Sequence, residues 1–221
     1  MMLSLLAGAL LCGTAHAQET IDVGVLRDSD VSVVQDLLYP KKDHTEFGFH
    51  AGWMPFDAFT TTPVVGFSTT LHRSEELAFE ASLGGGYGLK SRQYRQLEGP
   101  AYGVAPDAYR YLGSFLLDAQ YTPIYAKMSV MGNRVFHHDV YVLGGAGLTV
   151  EQAIIPDNTI ALAPTVGIGL GARIFLSQES AIRLQIRDDL MMEYRAKTAD
   201  TQPWFFKQNV AVTIGYVLLR K

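Results

Sequence analysis

The sequence contains a single cysteine, Cys12, in 221 residues. One thiol cannot form an intrachain disulfide, so nothing covalent staples the fold. Long apolar runs are missing too: past the first 20 positions no 18 consecutive uncharged apolar residues occur, which argues against a helical membrane span. Lysine and arginine form no cluster and the net charge is -4, so there is no electrostatic footprint for nucleic acid. Neither G-x-S-x-G nor H-E-x-x-H occurs, and with them go the nucleophile elbow and the zinc-hydrolase helix.

What is present is a composition that is 48% hydrophobic and 18% charged, with 21 glycines, 11 tyrosines, 11 phenylalanines and 2 tryptophans. Glycine and aromatics in this proportion suit strands and tight turns. The mean hydropathy of +0.09 is high for a soluble protein and low for a bundle of membrane helices.

Residues 1–17 carry an apolar core that ends in Ala15-His16-Ala17. This is the pattern of a secretory signal peptide cut after Ala17. The basic start of such a leader is absent, so the translation start is expected upstream. Leu11 before Cys12 is too large for a lipoprotein cleavage site, and cleavage at Ala17 leaves a mature chain without cysteine. Residues 18–43 read as a polar periplasmic lead-in, in which 31–39 has the pattern of a short amphipathic helix stopped by Pro40.

From residue 44 the hydrophobic period changes to two, the strand signature. It predicts eight strands near 45–54, 62–72, 76–88, 113–129, 135–150, 159–176, 180–195 and 204–219. In the seventh, Ile182, Leu184, Ile186, Leu190 and Met192 share a face opposite Arg183, Gln185, Arg187, Asp189 and Glu193. In the sixth, Leu162, Val166, Ile168 and Leu170 oppose Ala163, Thr165, Gly167, Gly169 and Arg173. A solvated strand face has no need of so many glycines, which weaken strands. The narrow interior of a small barrel does. A membrane barrel turns its apolar face to lipid and its small and polar face inward. Short connections (72–76, 130–134, 177–180) alternate with mostly longer ones (54–62, 89–112, 151–158, 196–203), as periplasmic turns and external loops do. The expected architecture is all-β: a closed antiparallel up-and-down transmembrane barrel of about eight strands over residues 44–221, in the bacterial outer membrane. Phe47, Trp53, Phe56, Tyr87, Tyr121, Tyr125, Tyr194, Trp204 and Phe206 fall near strand ends and are candidates for interfacial girdles.

The inward phase of these strands carries charges of both signs: Glu46, Glu80, Asp118 and Asp139, then Arg173, Arg183, Arg187 and Lys207. Buried charge is costly unless paired. A cross-lumen ion-pair network that fills the barrel is favoured over a selectivity ring, because about eight strands leave room only for side chains. His137-His138-Asp139, with His50 inward on the first strand, is the nearest approach to a metal or acid/base site, but no nucleophile spacing accompanies it. Gly84-Gly85-Gly86-Tyr87-Gly88 lies within a strand pattern and precedes no helix, so it reads as relief of crowding or curvature rather than phosphate binding. Asp188 and Gln208 interrupt apolar faces, either at strand ends near headgroups or at a register break. No enzyme activity, cofactor or metal is expected.

Several runs resemble the outer-membrane β-barrel domain family common in myxobacteria and related bacteria: VVQDLLYPKKDHTEFGFHAGWMPFDAF, LAFEASLGGGYGLK, DAQYTPIYAKMSVMGNRVFHHDVYVLGGAG and the final strand. The likeness is one of spacing over almost the whole mature chain. It implies an outer-membrane barrel without an assigned activity, contacting outer-membrane lipid. The last strand, with Thr213, Gly215, Tyr216 and Leu218, looks like a signal for the barrel-assembly machinery, though it ends in Arg220-Lys221 instead of an aromatic residue. A structural or interaction role is expected, with envelope partners reached through the 89–112 loop. A narrow channel for small solutes is the alternative.

Overall fold

The computed structural model describes residues 39–57, 59–106, 108–130, 134–154, 159–194 and 204–221. The expected signal peptide and most of the lead-in, with all of its 31–39 helix but Tyr39, lie outside them. The elements are β1 (Thr45–Met54), β2 (Thr60–His72), β3 (Leu77–Gly86), β4 (Leu89–Lys90), α1 (Arg92–Glu98), β5 (Tyr109–Val130), β6 (Arg134–Ala153), β7 (Ile160–Ser177), β8 (Ser180–Tyr194) and β9 (Trp204–Arg220). All strands but β4 join one antiparallel ring of eight, because β1 pairs with β2 on one side and with β9 on the other. Closure gives every barrel strand two partners and leaves no edge for lipid to meet.

The stagger of the ring follows from its register. The hydrogen-bonded neighbours of Glu46 run through Thr70, Glu80, Asp118, Gly145, Gly167 and Asp189 to Asn209, yet Glu46 itself faces Leu219, ten residues further along β9. Eight strands with that stagger tilt by roughly 35–45° and enclose a lumen that side chains can fill. Space inside is short. A Cβ at Gly171 would lie 2.1 Å from Cζ of Tyr141, its cross-strand partner, so the tyrosine ring lies across the bare glycine. His50 uses Gly66 in the same way.

Burial is inverted relative to a soluble protein. Phe49, Leu83, Ile168, Leu170, Ile186 and Ile214 are exposed, whereas Glu46, Asp139 and Arg173 have 0% exposure. The leucines, isoleucines and valines of β7 to β9 point outward, apart from Val217 and Leu219 near the end of β9, which are buried.

Two departures from the sequence pattern have local causes. A bulge in β5 between Tyr121 and Ile124 shifts the alternation by one residue. Ile124 therefore faces out, and Tyr125, a girdle candidate by spacing, turns in to pack with Phe175 and Tyr39. The 89–112 segment is more than a loop. Ser91 caps α1 by accepting the N–H of Tyr94, and Tyr94 is fully buried against Ala108, Ile154 and Phe59. At the opposite end, β5 runs from Thr122 to Val130 beyond its last pair with β3, so the β5–β6 hairpin overhangs the end that carries the short turns.

The outward face sets a test. Leu117→Arg, at mid-height on β5, is expected to lower unfolding free energy in lipid vesicles by about 2–4 kcal/mol. Leu71→Arg, at the rim, should lower it by no more than about 1 kcal/mol. Equal, small effects at both positions would mean that this face does not meet hydrocarbon.

Candidate functional site: the polar lumen

The lumen carries its charge in tiers. Nearest the short turns, Arg173 of β7 is enclosed by three strands. Its Nε lies 2.9 Å from Glu46 Oε2, its Nη1 lies 3.3 Å from Asp139 Oδ2, and its Nη2 donates to Gln120 Oε1 at 2.5 Å. His72 Nε2 sits 3.1 Å from the same Glu46 oxygen. A cation from outside the barrel completes this tier. Lys41, four residues before β1, reaches in to place Nζ 2.5 Å from Asp139 Oδ2 and is only 1% exposed. Its backbone is held by the Glu75 carboxylate, which accepts the N–H groups of Lys41 and Lys42 at 3.0 Å each. Burial pulls the Lys41 ammonium below its ordinary pKa, with Asp139 pulling the other way and Arg173 adding to the depression. Tyr39 stacks on Phe175 at 5.2 Å and meets His137 edge-on at 4.9 Å, so aromatic rings cover the base of the tier.

One step up, Arg183 of β8 grips Glu80 with both terminal nitrogens, at 2.5 and 3.0 Å. Two-pronged charge-assisted bonds of this kind are strong and directional. The Tyr141 hydroxyl accepts from Arg183 Nε at 2.5 Å and donates to Gln185 at 2.9 Å. Its ring lies 4.3 Å from the Arg173 guanidinium carbon and 5.2 Å from that of Arg183, a cation–π contact to each tier. Thr70 and Gln120 donate to Glu80 as well. Above them Arg187 bridges Asp118 at 2.8 Å and Asp189 at 2.6 Å.

A cavity of about 70 Å³ lies in the upper lumen, bordered by His50, Ser82, Ser114, Gln185 and Thr213. Met54, Val64, Tyr111 and Ala211 form an apolar cluster along the same cavity. At the mouth, Lys207 Nζ meets the Tyr109 carbonyl at 3.0 Å, Glu151 at 3.1 Å, Asp57 at 3.3 Å and Glu193 at 3.6 Å. Burial raises the pKa of the Asp57 carboxyl, but Lys207 and the N–H groups of Phe59 and Thr60 outweigh it and hold the pKa below its usual value.

Of the eight charges singled out by sequence, seven meet one another. Glu46, Asp139 and Arg173 form one group, Glu80 pairs with Arg183, and Asp118 pairs with Arg187. Lys207 meets none of the other seven; its partners are the carboxylates at the mouth. His137 shares its face with Asp139 but lies against Tyr39 and Tyr125. No cluster of histidine, cysteine and carboxylate with metal-holding geometry occurs among the described residues.

Sequence reasoning left out Lys41, Asp57, His72, Gln120, Tyr141 and Glu151. Gln120 shares the inward phase of Asp118, and Tyr141 that of Asp139, so the period-two signal reached both. Glu151 lay one residue past an expected strand end. Lys41 and Asp57 lie outside any strand, where periodicity says nothing.

No protein-family model and no curated protein sequence matches this chain. Solved structures do. The N-terminal β-barrel domain of Pseudomonas aeruginosa OprF superposes with a TM-score of 0.51 at 12% identity, covering 81% of this chain and 98% of that one. Pseudomonas aeruginosa OprG follows at 0.43 and 12% identity (84% and 99% covered), and Neisserial surface protein A at 0.42 and 9% (79% and 94%). The described chain thus has the fold of a small outer-membrane β-barrel.

Proposed function

We propose that this protein is a closed outer-membrane barrel with a structural or interaction role, its lumen filled by side chains and not used for transport or catalysis. The observation that carries this reading is the complete burial of the Glu46–Arg173–Asp139–Lys41 cluster across the lumen. A conducting pore needs a continuous wet path, and this tier leaves its charges to one another. What faces outward then does the work. The mouth segment exposes Tyr87, Leu89, Tyr102 and Val104 around α1, a surface suited to envelope partners. The β9 pattern of Thr213, Gly215, Tyr216 and Leu218 suits recognition by the barrel-assembly machinery, and the runs quoted above favour the myxobacterial barrel family. A second reading, a narrow channel for small solutes, has the cavity above Arg183 in its favour.

Conductance separates the two. In planar bilayers the protein is expected to show little or no current, and large steady openings would overturn the filled-lumen reading. Stability gives an independent measure. Arg173→Ala removes the guanidinium shared by two buried carboxylates, leaving Lys41 to Asp139 and His72 to Glu46, and is expected to lower unfolding free energy by about 3–5 kcal/mol. A pore with a hydrated charge ring would instead change ion selectivity at nearly unchanged stability.

A further inference from the structure

Residues 39–42 meet the base of the lumen without belonging to the ring. The pairing of β1 with β2 runs on to Asp43, whose N–H donates to the His72 carbonyl at 3.0 Å. Before that residue the ties to the barrel come from side chains. The Glu75 carboxylate accepts the N–H groups of Lys41 and Lys42, Lys41 Nζ meets Asp139, and Tyr39 stacks on Phe175. Between the two regimes lies a strained turn. The His44 N–H donates to the Lys41 carbonyl at 3.0 Å, and Asp43 has φ of 61°, in a turn position where glycine or asparagine is usual. Among the described residues Asp43 is the one non-glycine with positive φ. Strain of this kind persists only where the surroundings hold it, and it gathers at parts that switch.

We propose that residues 39–42 form a hinged strap over the base of the lumen, turning at Asp43 and locked shut by the ion pair of Lys41 with Asp139. A two-state element needs both of its positions to be physically tolerable. In the closed position Lys41 is 1% exposed; burial works against its charge, Asp139 supports it and Arg173 opposes it. In the open position the ammonium gains water. Asp139 is not stranded there, because it keeps Arg173, whose Nη1 lies 3.3 Å from its Oδ2. The ladder is the same in both positions, since the pairs of β1 begin at Thr45. Opening bares the cluster of Phe175, Ala181 and Val217, against which Tyr39 packs. It clears no pore, because the contacts of Glu46 with Arg173 and His72 are made between barrel strands. The strap thus couples the lead-in to the wetting of the base, whether or not the lumen conducts.

The test uses the full chain with Cys12→Ser and the reporter Ala181→Cys, folded into lipid nanodiscs that leave both ends of the barrel open to solvent. Ala181 has 0% exposure, so a membrane-impermeant maleimide labels the reporter only as fast as the base opens. Lys41→Met keeps the length of the side chain and removes its charge. Labelling should quicken about tenfold, the weight of one buried charge-assisted hydrogen bond. Asp43→Val alters an exposed side chain outside the lumen and makes the left-handed turn costlier, so it should quicken labelling too. Lys42→Met, the same loss of charge at an exposed neighbour, should leave the rate unchanged. Heat-modifiable gel mobility shows whether each variant is folded. Labelling unchanged by Lys41→Met or by Asp43→Val overturns the proposal. Faster labelling that comes only with loss of the heat-modifiable band overturns it as well, as does an equal rise with Lys42→Met.

Discussion

Hydrocarbon offers no hydrogen bonds, and each unpaired backbone N–H or C=O held in it is costly by several kcal/mol. A sheet can satisfy that demand only by closing on itself. The pairing of β1 with β9 is therefore the contact on which the other features rest. Once the ring is shut, the outer face must be apolar and everything else must go inside. Eight strands staggered by ten residues leave that inside narrow, so glycines beneath Tyr141 and His50 are conditions of closure.

Closure also decides what the charges do. A guanidinium such as Arg173, with no exposure, gains little from bulk water, so its partners must come from within the lumen. The strands supply them from different walls: Glu46 from β1, Gln120 from β5, Asp139 from β6. The Glu46 and Gln120 pairings tie together strands that are not neighbours in the ring, while Asp139 is the cross-strand partner of Arg173 on adjacent β6. The network acts as a set of internal struts as well as a filling, and Tyr141 joins its two lower tiers by lying against both arginines.

The parts of this design that follow strand periodicity were legible in the sequence. Alternation in β7, β8 and β9 placed Ile168 and Leu184 outside and Arg173 and Arg183 inside, and the residues at those positions keep that sense. Periodicity failed where the backbone breaks its own rule. The β5 bulge reverses the phase after Tyr121, so no count along the chain would put Tyr125 inside. It failed again for contacts made from outside the ring. Lys41 reads as the end of a polar lead-in, and only three dimensions bring it to Asp139. Pairing of inward charges was likewise invisible to alternation, which gives a face but not a height. Lys207 shows this, being on the predicted face but a full tier above the arginines and bound to carboxylates near the mouth.

The bulge, the overhang and Lys41 have a common origin at the end with the short turns. There β5 and β6 run past β3, so the rim is uneven and one wall stands higher than the other. An uneven rim exposes the inner side of the tall wall, where Tyr125, His137 and Asp139 would otherwise face water. The chain just before β1 fills the gap: Tyr39 lies against Phe175 and His137, Glu75 holds the Lys41 backbone, and the lysine side chain enters the lumen. The bulge turns Tyr125 toward Tyr39 and Phe175 and makes it part of the same cover. The base of the barrel is thus lined by residues that alternation could not assign, for one physical reason: they satisfy the boundary left where the regular ladder stops.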